Sequence, residues 1–146
     1  MDINSTLNEI LVKLFRNINA IEEHAVRSGE YKDITTNDMH VIEAIGIDDA
    51  KNMSTVAKAL AITTGTLTIS VNGLVKKGFV DRVRSEADRR VVLVSLTEKG
   101  KKAFRQHQKF HEDMINAAVA QLNDEEKIIL QKALTDLNLF FRSWKK

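Results

Sequence analysis

The spacing of apolar residues changes in a fixed order through the middle of the chain. From residue 53 to residue 77 they recur at intervals of three and four, which predicts two short helices. Ser54 is expected to cap the first helix, and Thr63 or Thr64 the second, because a hydroxyl there accepts from a free backbone N–H. Residues 61–63 form the turn. The predicted inward positions are Val56, Ala57 and Leu60 on the first helix and Leu67, Val71, Leu74 and Val75 on the second.

The apolar period then shortens to about two residues. This alternation covers residues 79–84 and, more loosely, 92–96, which predicts two strands joined by a polar loop over 85–90. The preceding helix is expected to end at 76–78, since cations favour a last turn and glycine the left-handed cap. Thr97 is expected to cap a long helix. Helix, turn, helix, hairpin and helix in this order predict a helix-turn-helix with a wing, so DNA is the first partner to consider.

A long helix is predicted at the beginning of the chain and a short one after it. Thr6 has the spacing to its following glutamate of a capping box, so the first helix is expected to start there and to end at Gly29. The short helix begins within residues 34–38 and closes at Gly46, and a polar loop follows over 48–52. The apolar stripe of the first helix is Leu7, Ile10, Leu11, Leu14, Ile18, Ile21 and Ala25.

The helices after the hairpin reach the end of the chain. The helix that begins at Thr97 is expected to run past Ala120, and Asn123 is expected to cap the last helix. Apolar residues of the last helix repeat about every 3.5 residues, the spacing of helices that pack along one another. We therefore predict that the first and last helices join those of a second copy, with packing inside one chain as the alternative. The repeating residues are Leu130, Leu134, Leu137, Phe141 and Trp144.

These elements predict a mainly α-helical chain with a small β-wing, folded as one domain over residues 1–146. Residues 34–96 are expected to form a DNA-binding lobe, and residues 1–30 and 97–146 a dimerisation lobe. The absence of cysteine excludes disulfides and thiolate metal sites. No N-terminal run resembles a signal peptide, and no stretch approaches the roughly 20 apolar residues of a membrane span. A cytoplasmic protein without membrane contact, and without a cofactor, is predicted.

Charge is concentrated on the predicted winged unit. Residues 76–105 hold ten Lys or Arg and four Asp or Glu, a net charge of +6, whereas the whole chain carries +2. Basic charge gathered on one structural unit is typical of nucleic-acid binding. A solvated, salt-bridged surface is the simpler alternative, and the adjoining helix-turn-helix pattern favours the DNA interpretation.

The second helix of the helix-turn-helix, the recognition helix, carries short uncharged polar side chains opposite its apolar positions. Asparagine can read adenine with two hydrogen bonds, and threonine can offer its hydroxyl or touch a thymine methyl group. Lysines at the end of the helix are expected to bind phosphate. The predicted contacts are Thr64, Thr66, Thr68, Ser70, Asn72, Lys76 and Lys77.

Several motifs resemble the MarR family of winged helix-turn-helix regulators, and the resemblance extends over essentially the whole chain. The family motifs are LVKKGFVDR at 74–82, DRR at 88–90 and LTEKG at 96–100. Within the family, the chain is most similar to the fatty-acid-synthesis repressors. That closer likeness rests on IEE at 21–23, KDI at 32–34, MH at 39–40, RSEADRRVV at 84–92 and FH at 110–111.

The resemblance implies how the wing meets DNA. In MarR-like proteins the arginine of the D-x-R wing enters the minor groove and the aspartate braces it, which corresponds here to Arg90 and Asp88. Arg89 holds the variable position, and Arg84 and Ser85 lie on the other side of the wing. The family forms two-fold homodimers that place two recognition helices about 10 base pairs apart, so a pseudo-palindromic operator in double-stranded DNA is expected.

The closer likeness also implies a co-repressor, a long acyl chain carried on acyl carrier protein. An acyl chain needs an apolar tunnel, and the acidic carrier protein needs a basic surface, which residues 99–105 would supply. Each apolar residue considered for the tunnel fits ordinary core equally well. The candidates are Leu14, Ile18, Met39, Ile42, Phe79, Phe104, Phe110 and Met114.

A regulator that responds to zinc, or to a small lipophilic or aromatic ligand, is the alternative. His107 and His111 are four residues apart, a helical spacing that lets two imidazoles share an ion. Zinc-sensing MarR-like repressors use one glutamate and three histidines from three helices, which here implies Glu23, among residues 22–24, and His40. A lone histidine pair is more often solvated or hydrogen-bonded, and fatty-acid repressors carry these histidines too.

Two further classes of function fit less well. No Ser-His-Asp order, phosphate-binding glycine loop or pair of acids in a cleft indicates an enzyme. A protein-interaction module that has kept the winged fold without binding DNA conflicts with the intact D-x-R wing and the +6 segment.

Overall fold

The computed structural model describes residues 2–144 and divides after Gln108 into two compact units. A π-helical turn, Ile10–Leu14, joins the first two helices into one continuous rod. The elements are α1 (Ile3–Glu9), α2 (Phe15–Ser28), α3 (Thr36–Ile45), β1 (Lys51–Asn52), α4 (Met53–Leu60), α5 (Thr64–Lys77), β2 (Val80–Arg84), β3 (Val92–Leu96), α6 (Glu98–Val119) and α7 (Asp124–Ser143).

The first helix begins earlier than the sequence pattern predicts. Asp2 caps it, because its carboxylate accepts from the backbone N–H of Ser5 at 2.9 Å. The prediction of a start at Thr6 is wrong, since the Thr6 hydroxyl donates to the Asp2 carbonyl at 3.0 Å from within the helix. The predicted end is confirmed, with Gly29 as the C-cap of α2.

Helix α3 begins within the predicted residues 34–38. Thr35 and Asp38 form a capping box in which each side chain accepts from the other's backbone N–H. Gly46 closes the helix with a φ of +73°, a conformation that glycine adopts without strain. This short helix supplies Met39, Ile42 and other residues to the core.

The entry to α4 corrects two predictions. Asn52, rather than Ser54, caps the helix, because its side chain accepts from the Thr55 backbone N–H at 2.8 Å. The preceding segment is also not entirely loop. Lys51 and Asn52 form β1, which pairs antiparallel with Val94 and Leu93 of β3. Two residues are too few to produce a visible alternation, so the sequence pattern could not indicate this strand.

The turn and the recognition helix follow the sequence prediction closely. Ala61 adopts the left-handed conformation that ends α4, and the Thr63 hydroxyl caps α5 by accepting from Thr66 N at 3.1 Å. Gly78 ends α5 with a φ of +85°. α5 therefore runs from Thr64 to Lys77, as the pattern of apolar residues predicts.

The three strands form one antiparallel sheet in the order β1-β3-β2. Val80 pairs with Leu96 and Arg84 with Val92, so β2 and β3 make the hairpin of the wing. The core of the first unit lies between this sheet and helices α2 to α6. Its fully buried side chains are Val41, Ile42, Ile45, Val56, Leu67, Val71, Leu74, Phe79, Val80 and Val94.

Phe79 joins the hairpin to the start of α6. Its ring meets Tyr31 edge-on at 5.2 Å between centroids, and the Lys99 ammonium lies 4.3 Å from its centroid. Thr97 donates to the Gly78 carbonyl at 2.7 Å and accepts from Gly100 N at 3.1 Å, so it begins α6 as predicted. A Cβ at Gly100 would fall inside contact distance of the Phe79 carbonyl oxygen, which requires glycine there.

The second unit contains the end of α6 and all of α7. α6 ends at Val119, so the predicted extension past Ala120 is wrong. Asn123 and Glu126 form the capping box of α7, which confirms the predicted start. None of the helices between residues 2 and 144 has the length and apolar character that a membrane crossing requires.

Candidate nucleic-acid interface

The recognition helix α5 has one buried apolar face and one exposed face. Leu67, Val71 and Leu74 are fully buried and hold the helix against the core. At 100° per residue, the line opposite these three passes through Gly65, Ile69, Asn72 and Lys76. Ile69 is 75% exposed and was not among the predicted contacts, because an apolar residue inside a helical pattern is ordinarily assigned to the core.

The predicted hydroxyl contacts on α5 are partly engaged within the protein. Thr66 Oγ1 accepts from the Thr63 hydroxyl at 2.9 Å, and Thr68 donates to the Thr64 carbonyl at 2.8 Å. The hydroxyl of the half-buried Ser70 accepts from the Asn37 amide nitrogen of α3 at 3.3 Å. Thr64, Thr66 and Thr68 remain exposed, whereas Ser70 is turned toward α3.

Asn72 has a partner that the sequence did not indicate. The guanidinium of Arg82, on β2, donates to the Asn72 side-chain oxygen. That oxygen is therefore already an acceptor, and the amide nitrogen is the group that Asn72 offers outward. From the sequence alone, Arg82 is one of the cations of the basic segment. The structure places it beside the exposed face of α5, where it adds a positive charge.

The two lysines at the end of α5 have different roles. The Lys77 ammonium donates to the Asp38 carboxylate at 2.8 Å and to the Asp33 carbonyl at 2.6 Å, so it fastens α5 to α3. A phosphate contact of Lys77 stays a prediction, and its ammonium already has these two partners inside the unit. Lys76 is exposed on the outer line of α5 and keeps the predicted position.

The tip of the wing presents one arginine held by one aspartate. Arg90 donates from Nε and Nη2 to the two oxygens of Asp88, each at 3.0 Å, while 91% of the Arg90 side chain is exposed. Hydrogen bonds from the Arg90 side chain and then its backbone hold the pKa of Asp88 below its ordinary value. The carboxylate therefore stays charged and orients a guanidinium that projects from the protein.

The rest of the wing loop is closed by short hydrogen bonds. Arg84 donates to the Arg89 carbonyl at 2.9 Å, and Ser85 N donates to the Val91 carbonyl at 2.8 Å. The Ser85 hydroxyl accepts from Asp88 N at 3.4 Å. Arg84 and Ser85 thus shape the loop that carries the arginine at its tip, while Arg89 is exposed next to it.

The basic segment divides into an outward and an internal part. In α6, Lys101 lies 3.7 Å from Glu98 and Lys102 lies 3.1 Å from Glu30, so acids neutralise both. Lys99 covers Phe79 and donates to the Lys77 carbonyl at 2.9 Å. The outward positive charge therefore concentrates on the wing and the end of α5, and less of it lies on residues 99–105 than the sequence suggested.

Comparisons with known proteins agree with this arrangement. The family described as transcriptional regulator SarA/Rot, a MarR-like winged helix, matches residues 28–107. The crystal structure of Streptococcus pneumoniae FabT in complex with DNA is similar at a TM-score of 0.92 and 40% sequence identity, covering 97% of this chain and 99% of that one. The chain belongs to the MarR-like family of winged-helix transcriptional regulators. The proteins it resembles are regulators and not enzymes.

Two curated relatives in Bacillus subtilis support the family assignment. The HTH-type transcriptional repressor YetL is 36% identical over 81 residues, which are 56% of this chain and 48% of YetL. The chain thus matches about half the length of that relative. The HTH-type transcriptional regulator YfiV is 30% identical over 114 residues, covering 78% of this chain and 71% of YfiV.

A second cluster of polar side chains lies inside the first unit of this MarR-like protein. His107 of α6 is 6% exposed, and its Nε2 lies 3.1 Å from Glu22 of α2 and 2.8 Å from Glu43 of α3. His40 Nε2 lies 3.4 Å from the same Glu22 oxygen. The predicted Glu23 instead forms an exposed ion pair with Arg27.

The cluster favours a charged imidazole. Burial lowers the pKa of His107, but the hydrogen bonds and charges of Glu43 and then Glu22 outweigh it, so the pKa lies above its ordinary value. Glu22, Glu43 and His107 each offer one atom of the kind that ligates a metal ion. His111, the fourth predicted residue, lies one turn further along α6, in the second unit.

The residues predicted to line an acyl tunnel differ in how far they are buried. Met39, Ile42 and Phe79 belong to the buried core, and Phe104 packs against it. Leu14 is 46% exposed, and Ile18 is half-buried on the same rod. In the second unit, Phe110 and Met114 are half-buried.

Proposed function

We propose that this protein is a homodimeric transcriptional repressor that binds a pseudo-palindromic operator. The observation that carries the proposal is the pair of outward elements on one basic unit: an exposed face of α5, and Arg90 braced by Asp88 at the wing tip. A helix of this size fits the major groove, and an exposed arginine fits a narrow minor groove. The 40% identity to a FabT that was crystallised with DNA supports the same conclusion.

The dimer is proposed from apolar surface that a single chain leaves exposed. In the first unit, residues 10–15 expose four aliphatic side chains and Phe15. In the second unit, nearly every residue of α7 is exposed, including several large apolar ones. Contiguous apolar surface of this kind marks an interaction site, and a second copy offers a matching surface. The exposed residues are Ile10, Leu11, Val12, Leu14 and Phe15, and Ile128, Ile129, Leu130, Leu134, Leu139, Phe140, Phe141 and Trp144.

The proposed regulated genes are those of fatty-acid synthesis, with long-chain acyl carrier protein as co-repressor. Support comes from the sequence motifs shared with that group of repressors and from the identity to FabT. Ligand binding would act as a population shift, because a ligand that prefers one spacing of the two recognition helices favours the dimer able to reach successive grooves.

Fluorescence anisotropy at fixed salt tests this function. A labelled duplex from upstream of the host's fatty-acid synthesis genes is titrated with protein, in the presence of long-chain acyl carrier protein or of the unacylated carrier as matched control. The proposal expects specific binding that only the acylated form tightens. Specific binding that ignores both forms would keep the repressor and reject this co-repressor. No binding beyond that of a scrambled duplex would reject the target genes.

A divalent cation is the second candidate effector, favoured by the cluster around His107. Glu22, Glu43 and His107 come from three helices, so an ion shared among them would fix the angle between α2, α3 and α6. The test adds zinc to the same anisotropy titration, with Glu43→Gln as the variant and Glu23→Gln as its matched control. Saturating zinc that leaves the wild-type affinity for DNA unchanged would reject the metal.

A further inference from the structure

The centre of the proposed reading face is apolar. Ile69 is 75% exposed and lies opposite Leu67, Val71 and Leu74, at the middle of the outer line of α5. Single exposed aliphatic residues are common on protein surfaces. This one is unusual in its place, because the exposed residues beside it on α5 are threonine, asparagine and lysine, all of which suit water. An isoleucine is also a weaker helix former than alanine.

Glycines flank Ile69 by one turn on either side. A Cβ built at Gly73 would meet nothing within 4 Å, and one at Gly65 would meet only the Thr63 hydroxyl oxygen at 4.0 Å. Neither glycine has a positive φ. The fold therefore has room for alanine at both positions, although glycine inside a helix is destabilising relative to alanine. A partner that approaches the backbone of α5 closely would account for both glycines.

The chemistry around Ile69 identifies the kind of partner. The Thr68 hydroxyl is bonded to the Thr64 carbonyl, which leaves its methyl group for other contacts. One turn after Ile69, Asn72 offers its amide nitrogen while Arg82 occupies its oxygen. An apolar centre beside a hydrogen-bond donor and positive charge matches a major groove. There the thymine C5-methyl is the apolar group on a base edge, and phosphates run along both sides.

We propose that Ile69 reads the C5-methyl group of a thymine in each operator half-site, and that Gly65 and Gly73 let α5 approach closely enough for that contact. The inference rests on the proposed DNA-binding function and adds a specificity-determining residue to it. Because Ile69 is exposed, its replacement leaves the folded protein intact while changing which bases are preferred.

A cycle of protein and DNA changes tests the contact. Wild-type protein first selects its preferred duplex from a randomised pool. Each thymine of that duplex is then replaced singly by deoxyuridine, which removes only the methyl group, and binding is measured for wild type and Ile69→Ala. At one thymine per half-site, uracil is expected to weaken wild-type binding about fivefold, the scale of one buried methyl group. The variant is expected to bind both duplexes equally.

The possible results distinguish a wrong role for Ile69 from a protein that does not bind a specific DNA sequence. Uracil substitutions that cost the variant as much as wild type at every thymine, or a selected half-site without thymine, would overturn the role of Ile69 alone. A wild-type protein that enriches no duplex would overturn the proposed function and this inference together. The unfolding temperature of Ile69→Ala is expected to equal or slightly exceed that of wild type, because the side chain contributes little to the core and alanine is the better helix former.

Gly73→Ala tests the close approach separately. A purely structural glycine would make this variant unfold more easily or leave it unchanged. The structure has space for the methyl group, so a higher unfolding temperature is expected together with at least tenfold weaker binding to the selected duplex. Undiminished binding by Gly73→Ala would contradict the close approach.

Discussion

Leu67, Val71 and Leu74 in α5 are fully buried, whereas Leu134 and Phe141 in α7 remain about half exposed. Both sets repeat at helical spacing, and both predict an inward face. The difference lies in what the rest of the chain supplies. Helix α3, α4 and the sheet cover α5, while α7 displays its apolar residues. The same periodicity therefore marks a buried core face in α5 and an exposed apolar face in α7, which is the proposed dimer interface.

The largest effect is expected from a charge placed on the exposed apolar face of α7. Leu134→Asp is expected to give monomers, because the buried charge in the proposed dimer would have no partner. Loss of the second half-site contact removes its avidity, so operator affinity should fall at least about 100-fold. Light scattering after gel filtration and anisotropy measure the two effects. Lys132→Gln, on the same helix, should remain a dimer; a dimeric Leu134→Asp would contradict the assignment of α7.

An added methyl group in the core of the first unit should lower the stability of the protein and leave the exposed face of α7 unchanged. Gly100→Ala would push a methyl group against the Phe79 carbonyl oxygen, so α6 must shift from the hairpin. Overpacking of this kind costs about 1–3 kcal/mol of unfolding free energy. Urea unfolding measures it, and Gly73→Ala, where there is open space, is the matched control. Equal stability for Gly100→Ala and wild type would show that the packing is looser than described.

Removing the wing arginine should weaken DNA binding and leave the stability of the protein unchanged. Arg90→Ala is expected to weaken specific binding by about 1–3 kcal/mol, the scale of a good base contact. Its unfolding temperature should hardly change, because the side chain is 91% exposed. Anisotropy at several salt concentrations is the measurement. Lys76→Ala is the comparison, and it should weaken binding to all duplexes and make the affinity less dependent on salt concentration. Unchanged operator affinity for Arg90→Ala would remove it from the interface.

The smallest expected effect is the pH dependence of the cluster inside the first unit. The folded pKa of His107 lies above its unfolded value, so its stabilisation is fully present below the unfolded pKa and is lost as pH rises through the folded pKa. The difference in unfolding free energy between wild type and His107→Gln should therefore shrink as pH rises, in buffer containing a chelator. His24→Gln serves as the exposed control. A difference that grows with pH would contradict the charged state.

Local chemistry made much of the winged unit predictable from sequence. Thr63 and Gly78 set the ends of α5 through contacts within a few residues, as predicted. Helix α3 begins within residues 34–38 as predicted, through a capping box of Thr35 and Asp38. β1 was missed, because two residues show no periodicity and the strand exists through its pairing with β3. The apolar stripe did not indicate Asp2 as the cap of α1, because the stripe begins only at Leu7.

The polar partners were less predictable because they come from distant segments. The pairing of Lys77 with Asp38 joins residues 39 positions apart, and that of Glu22 with His107 joins residues 85 positions apart. The resemblance to zinc-sensing repressors implied Glu23, whereas the structure places Glu22 beside His107. Asp88 and Arg90, two residues apart in a motif, were identifiable without the fold. Ile69 was hidden by the rule that assigns apolar residues of a helix to its core.

Hydroxyl-radical footprinting of the selected operator would show whether a two-fold dimer contacts DNA with both α5 and the wing. Two protected half-sites related by two-fold symmetry and about one helical turn apart are expected, each with backbone protection on both sides of the major groove that α5 enters and further protection across the adjoining minor groove. Arg90→Ala should lose the minor-groove protection and keep the rest. A single asymmetric footprint, or one that Arg90→Ala leaves unchanged, would contradict a dimer that reads DNA with α5 and the wing.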